Sequence, residues 1–206
     1  MDTYSTEGKE ITYAFNVIKD FFNDIDMFNA IKDTENLIRS PANNKVYKKR
    51  SPGDLLFFID RFEELSAAAF TIRESYSERD GAVLEAFEEQ EFPDISKHKD
   101  FVPDLRYLPA WEAFPRNLTA RQYFNPYKAI KKFISHMTEI EWKKALKVII
   151  EYALSTDPIN DEYPSSELMT IRLRMLQLIE ACHLLHVRTN LQAKSTKHNI
   201  PNTKKK

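Results

Sequence analysis

Residues 138–153 read TEIEWKKALKVIIEYA, and this stretch contains both a helix start and a helical repeat of apolar side chains. Thr138 precedes Glu141 by three residues, which is the spacing of a capping box. The apolar residues then recur three and four positions apart: Trp142, Ala145, Leu146, Ile149, Tyr152 and Ala153. This period places them on one face of a helix, so the stretch predicts an amphipathic α-helix.

Helical spacing of apolar residues recurs along most of the chain. The predicted helices are two within 11–38, one each at 54–76, 126–136 and 166–189, and a short acidic one after a turn at 77–81. Ser40–Pro41 is predicted to end the second helix, because proline disfavours a helical conformation in the residue before it. No segment shows a convincing strand alternation. The sequence therefore predicts an all-α protein, a compact bundle of about six to seven helices.

A segment rich in proline and aromatic residues lies at about 93–118, between the two groups of predicted helices. A connection of this length is uncommon in a compact domain unless it has a role or packs as a unit. We therefore expect a long, ordered aromatic and Pro-rich loop that packs on the helices, so that 1–189 forms a single helical domain. The polar segment 190–206, which ends in three lysines, is expected to be a disordered basic C-terminal tail.

The composition excludes several classes of site. Only three of the 206 residues are glycine, so glycine-rich phosphate loops and dinucleotide-binding motifs are not expected. Cys182 is the single cysteine, which excludes an internal disulfide and a cysteine-rich zinc site. The sequence shows neither a run of 18 apolar residues nor a secretory signal. We expect a cytoplasmic protein that does not enter a membrane, and we predict no cofactor.

Basic residues are concentrated in three segments, although the formal net charge of the whole chain is only −1. Residues 39–50 contain five basic residues and no acid, and residues 128–147 contain six lysines and two glutamates. The third segment begins at residue 181, and an acidic stretch at 78–94 contrasts with all three. Such segments either solvate the outer faces of helices or neutralise phosphates. For the segment 45–50 both readings stay open.

That segment supplies the candidate nucleic-acid site, in which an aromatic residue lies among cations as in single-strand binding proteins. Its candidate residues are Lys45, Tyr47, Lys48, Lys49 and Arg50. A second candidate site lies in the loop at 93–118, which is rich in the residue types of binding hot spots. The partner-binding candidates there are Arg106, Tyr107, Trp111, Phe114 and Arg116. The alternative for this loop is a satellite cluster that caps one end of the bundle.

A third candidate is a metal site at Glu180, His183 and His186. A Glu-x-x-His pair presents a carboxylate and an imidazole one helical turn apart, as in di-iron carboxylate bundles. Those sites use two such pairs, whereas this sequence has only one. Cys182 and His186 also fall on the apolar stripe of the last predicted helix, so packed core residues are the favoured reading.

These observations give three functional hypotheses. The first is a non-catalytic helical interaction module that binds a protein partner through the aromatic and arginine-containing loop and the basic segments. The alternative is a nucleic-acid-associated regulatory protein that uses local basic patches. The second alternative is a helical-bundle metalloenzyme with the metal at the Glu-x-x-His pair.

Overall fold

The computed structural model describes residues 3–43, 46–48, 51–77, 115–157, 159 and 162–198. Within these ranges the chain forms seven helices and no strand, which confirms the predicted all-α fold. The helices are α1 (Thr3–Asp24), α2 (Met27–Ala42), α3 (Pro52–Ser77), α4 (Ala120–Phe124), α5 (Tyr127–Ile134), α6 (Glu139–Leu154) and α7 (Ser165–His198). The predicted acidic helix and the predicted aromatic loop up to residue 114 lie outside the described residues.

Helix α6 begins at the predicted capping box. The Thr138 backbone N–H donates to Glu141 Oε2 at 2.7 Å, and the Glu141 backbone N–H donates to Thr138 Oγ1 at 3.3 Å. Five of the six apolar residues of the predicted stripe are buried: Trp142, Ala145, Leu146, Ile149 and Ala153. The prediction of an amphipathic helix here is confirmed.

One hydrophobic core includes residues from every helix except α4. Helix α1 packs mainly on α3, while α2 and α5 pack mainly on α7. Phe133 of α5 stacks on Trp142 with ring centroids 4.1 Å apart. Phe62 of α3 packs against Phe133 in a T-shaped arrangement, with ring centroids 6.2 Å apart. Because α5 is held by α3, α6 and α7 through its apolar face, its polar face must point outward.

The helices differ from the predictions most clearly in two boundaries and in one additional helix. Helix α2 continues through Ser40–Pro41 and ends at Ala42, so the proline lies within the last turn instead of following the helix. Helix α4 was not predicted, although Thr119 and Gln122 form a capping box at its start. Only two adjacent apolar residues follow that box, which is too few to show a helical period. In the folded protein the helix is stabilised by packing on α7.

Helix α7 extends to His198, beyond the predicted end at residue 189. No glycine or proline occurs between residues 165 and 200, so nothing in the backbone interrupts the helix before Pro201. The first part of the predicted disordered tail is therefore helical up to residue 198. The rest of that tail, 199–206, lies outside the described residues. In the part of the chain that the structure describes, no helix combines the length and apolar character that crossing a membrane requires.

Candidate functional site

A cleft of about 510 Å³ opens between α5 and α7, and its lining is strongly basic. We call it the basic cleft. It is lined by Lys128, Lys131, Lys132, Ser135, His136 and Arg174. The three lysines come from α5, Ser135 and His136 directly follow that helix, and Arg174 comes from α7.

The sequence of α5 explains why three lysines share the cleft. Residues three and four apart lie on the same side of a helix, and Lys128, Lys131 and Lys132 have this spacing. The opposite face is apolar and buried, through Ala129, Ile130, Phe133 and Ile134. Burial of that face in the core directs the lysine face toward solvent, where it forms one wall of the basic cleft.

His136 is held in place by the aromatic stack beneath it. Its backbone N–H donates to Phe133 O at 3.2 Å, and its ring lies 5.8 Å from the Trp142 ring, centroid to centroid. The Trp142 indole Nε1–H in turn donates to Phe133 O at 3.3 Å. His136 Nε2 is buried, and it has no hydrogen-bond partner among the described residues.

Arg174 is positioned by Gln177, one turn further along α7. Arg174 Nη1 donates to Gln177 Oε1 at 2.8 Å, and Gln177 Nε2 donates to Asn117 O at 3.0 Å. The side-chain amide of Gln177 is therefore oriented through its Nε2 by the segment that precedes α4. Arg174 Nε is buried and finds no acceptor in the described part of the chain.

The same segment is anchored by Glu180, a fully buried carboxylate on α7. Its two oxygens accept hydrogen bonds from the backbone N–H groups of Arg116, Asn117 and Leu118 and from the Asn117 side-chain amide, at 2.8–3.1 Å. Burial raises the pKa of Glu180, and these hydrogen bonds oppose that shift. Glu180, Asn117, Gln177 and Arg174 thus form a continuous polar chain that ends at the basic cleft.

The electrostatics of the basic cleft favour an anion. Four of its six lining residues are lysine or arginine, and the described lining includes no carboxylate. The carboxyl end of α5 lies next to the cleft and contributes about half a negative charge. This partial charge is much smaller than that of the four cations, so the cleft keeps a positive potential.

The predicted metal ligands do not converge. Both Glu180 oxygens are occupied by the N–H groups of residues 116–118, as described above. The rings of His183 and His186 pack on Phe22 of α1, with centroids 5.1 Å and 5.8 Å away. Nowhere in the described ranges do three or more His, Cys, Asp or Glu side chains form a group suited to a metal ion. These residues instead connect α7 to α1 and to the segment before α4.

The predicted nucleic-acid segment 45–50 is described only in part. Tyr47 is 5% exposed and belongs to the hydrophobic core, and its backbone N–H donates to Ala153 O at 2.7 Å. A buried ring is not available to stack on a base, so the role predicted for Tyr47 is corrected. Lys48 is exposed. Lys45, Lys49 and Arg50 lie outside the described residues.

Of the predicted partner-binding residues, the structure describes only Arg116. Its side chain is exposed, while its backbone N–H is bound by Glu180. Arg106, Tyr107, Trp111 and Phe114 lie outside the described residues. None of the six lining residues of the basic cleft is among the predicted site residues. The lysine-rich stretch 128–147 was the available signal, but nothing in the sequence connects it to Arg174.

Comparisons with protein-family models, with curated proteins and with solved structures find no match to this chain. The function is therefore inferred from the basic cleft and from the residues that position its side chains.

Proposed function

We propose that this chain is a non-catalytic helical binding module whose basic cleft binds nucleic acid through the phosphate backbone. The observation that carries the proposal is the composition of the cleft wall, in which lysine and arginine predominate and no described residue is acidic. Phosphate groups are the anions that such walls neutralise in nucleic-acid-binding proteins. The overall charge of −1 means that binding depends on this local patch and not on the charge of the whole chain.

The cleft wall indicates contact with phosphates and not with bases. Lysine contacts phosphate as a mobile point charge, and arginine contacts it through a planar set of N–H donors. Among the described lining residues none offers an aromatic ring for stacking except the His136 imidazole, which packs on Trp142. We therefore expect binding with little dependence on base sequence. The affinity should fall with salt by about 0.7 log units per log unit of salt for each single-strand phosphate neutralised.

The experiment is a fluorescence-anisotropy titration of a labelled single-stranded oligonucleotide at several salt concentrations. The test variant is Lys131→Glu/Lys132→Glu, which reverses two exposed charges on the cleft wall. The matched control is Lys144→Glu/Lys147→Glu, which makes the same charge change at exposed positions of α6 outside the described lining.

The cleft variant should lose at least tenfold in affinity at physiological salt. The control should lose about twofold or less, because its two positions lie outside the described lining and salt screens charges that do not contact the oligonucleotide. Equal losses in both variants would show that the general surface charge attracts the oligonucleotide and would contradict a cleft site. Wild-type affinity that does not change with salt would contradict phosphate contact altogether.

A second candidate function is binding of a protein partner through the aromatic and arginine-containing segment. One described feature favours it: the buried Glu180 carboxylate fixes the backbone at Arg116, within that segment, and leaves the Arg116 side chain exposed. The test is affinity capture from cell extract with the wild type and with a Trp111→Ala/Arg116→Ala variant. Selective loss of a captured protein from the variant is expected, and equal recovery by both proteins would contradict this role.

A further inference from the structure

Two nitrogen atoms of residues that line the basic cleft are buried without a hydrogen-bond partner in the described part of the protein. They are His136 Nε2 and Arg174 Nε. Buried polar atoms in folded proteins are almost always hydrogen-bonded, and each exception calls for an explanation such as strain, a role in the site, or a bound water or ion. Both nitrogens are covered in this structure, but both residues line the same cleft, so an anion bound there can meet the two nitrogens after a small rotation of their side chains.

The surroundings of these two nitrogens restrict the ligand to an anion of high charge. The guanidinium of Arg174 is held by Gln177 through Nη1. Gln177 is itself bound to Asn117, so the guanidinium is positioned by the polar chain that begins at Glu180. Three lysines of α5 complete the lining. A group with several oxygen acceptors and more than one negative charge satisfies this combination better than a singly charged one.

A phosphate monoester has these properties, and an internal phosphodiester does not. The monoester carries about −1.5 to −2 charges at pH 7 and has three unesterified oxygens. An internal phosphate of a nucleic acid carries a single charge and has two such oxygens. The cleft volume of about 510 Å³ falls in the range of sites for small ligands, roughly 300–1,000 Å³, and suits one terminal nucleotide.

We infer that His136 and Arg174 form a subsite for the terminal phosphate monoester of a nucleic-acid strand. This inference rests on the proposed function, in which the basic cleft binds the strand itself. Arg174 and His136 donate to oxygens of the terminal phosphate, and the lysines of α5 neutralise it and the phosphates that follow. The subsite adds selection for a phosphorylated strand end to binding that is otherwise independent of sequence.

The experiment compares three single-stranded DNA decamers of one sequence, with a 5′-phosphate, a 3′-phosphate or hydroxyl groups at both ends. Each carries the same internal fluorophore, and anisotropy gives the dissociation constant at one fixed salt concentration. The wild type should bind one of the phosphorylated decamers about tenfold more tightly than the decamer with two hydroxyl ends, because the added hydrogen bonds are charge-assisted.

Two variants test the residues of the subsite. Arg174→Lys keeps the charge but removes Nε, and His136→Phe keeps a ring against Trp142 but removes both ring nitrogens. Each should lose most of the preference for the phosphorylated end, so that the ratio of its affinities for the phosphorylated and the hydroxyl-ended decamer falls toward one, whatever its affinity for the hydroxyl-ended decamer. Lys147→Ala, at an exposed position of α6 outside the described lining, is the control and should keep both the affinities and their ratio within about twofold of the wild type. A ratio of affinities is insensitive to a partly unfolded fraction of a variant.

The outcomes distinguish failure of the terminal-phosphate subsite from failure of nucleic-acid binding by the basic cleft. Equal wild-type affinity for all three decamers overturns the subsite and leaves the proposed nucleic-acid function standing. Absence of binding to every decamer at low salt overturns both. Inorganic phosphate alone, measured by calorimetry, should bind more weakly than the phosphorylated decamer. Equal affinity for inorganic phosphate would assign the subsite to free phosphate and overturn its role at a strand end.

Discussion

Asn117 is bound to Glu180 through both its backbone and its side chain. The Asn117 backbone N–H donates to Glu180 Oε2 and its Nδ2 donates to Oε1, each at 2.8 Å. These two bonds connect residues 63 positions apart and tie the segment before α4 to the middle of α7. The Asn117 carbonyl then accepts from Gln177, so the anchoring extends toward Arg174 in the basic cleft.

Glu180→Gln should destabilise the protein by about 2–3 kcal/mol, because an amide group would face N–H donors that now bind carboxylate oxygens, which leaves buried donors unsatisfied. Urea denaturation followed by circular dichroism measures the change as a lower midpoint at an unchanged slope. Glu151→Gln, at an exposed position of α6, is the control and should stay within about 0.5 kcal/mol of the wild type. A comparable midpoint for both variants would contradict the anchoring role of Glu180.

Gln177→Ala should weaken oligonucleotide binding through Arg174 and not by a contact of its own. With Gln177 removed, the guanidinium loses the acceptor that holds Nη1, and we expect about a three- to tenfold loss of affinity. A double-mutant cycle measures the dependence. Arg174→Ala/Gln177→Ala should bind no more weakly than Arg174→Ala alone. Additive losses would instead show that Gln177 acts independently of Arg174.

Protein stability should fall with decreasing pH through His183. Burial is the main cause that lowers the pKa of His183 to about 4; His186 lowers it further and Asp26 opposes the shift. The unfolded chain takes up the proton near pH 6.5, so the folded state binds fewer protons between about pH 6.5 and 4. The free energy of unfolding is therefore unaffected by this group above pH 6.5. It decreases as the pH falls toward 4, by at most about 3 kcal/mol.

His183→Phe tests this pH dependence and preserves a ring against Phe22. The variant should be at least as stable as the wild type at pH 7, and the difference between the two unfolding free energies should grow in its favour down to pH 4. Burial and then Lys19 lower the pKa of His186 as well, so His186 also contributes to the pH dependence of stability. Because His186 is present in both proteins, its contribution does not account for the difference between them. Parallel stability curves from pH 7 to pH 4 would contradict the prediction.

Thr138→Ala should lower the stability of the protein by about 1 kcal/mol, because the backbone N–H of Glu141 loses its acceptor at the start of α6. Thermal unfolding measures the loss as a reduced melting temperature. Thr156→Ala, at an exposed position after α6, is a matched control that should leave the melting temperature nearly unchanged. A smaller effect at Thr138 than at Thr156 would show that the cap does not stabilise the helix.

The fold was predictable where its determinants are local. In the capping box at Thr138 and in the apolar stripe that follows, each residue lies within four positions of the next, and the structure confirms both. The placement of Tyr47 was not predictable in the same way. The cations beside it suggested exposure, yet its ring is buried in the core, where only the approach of α6 through Ala153 puts it.

The candidate site shows the same division. The period of α5 determines that Lys128, Lys131 and Lys132 share one face, because helical geometry requires it. Tertiary packing alone brings Arg174 to that face and turns Glu180 from a predicted metal ligand into an anchor for the segment before α4. Helix formation depends on neighbours within a turn or two, so the amino-acid sequence determines it directly. The meeting of residues some 40 to 60 positions apart depends on how whole helices pack, and no local pattern encodes that arrangement.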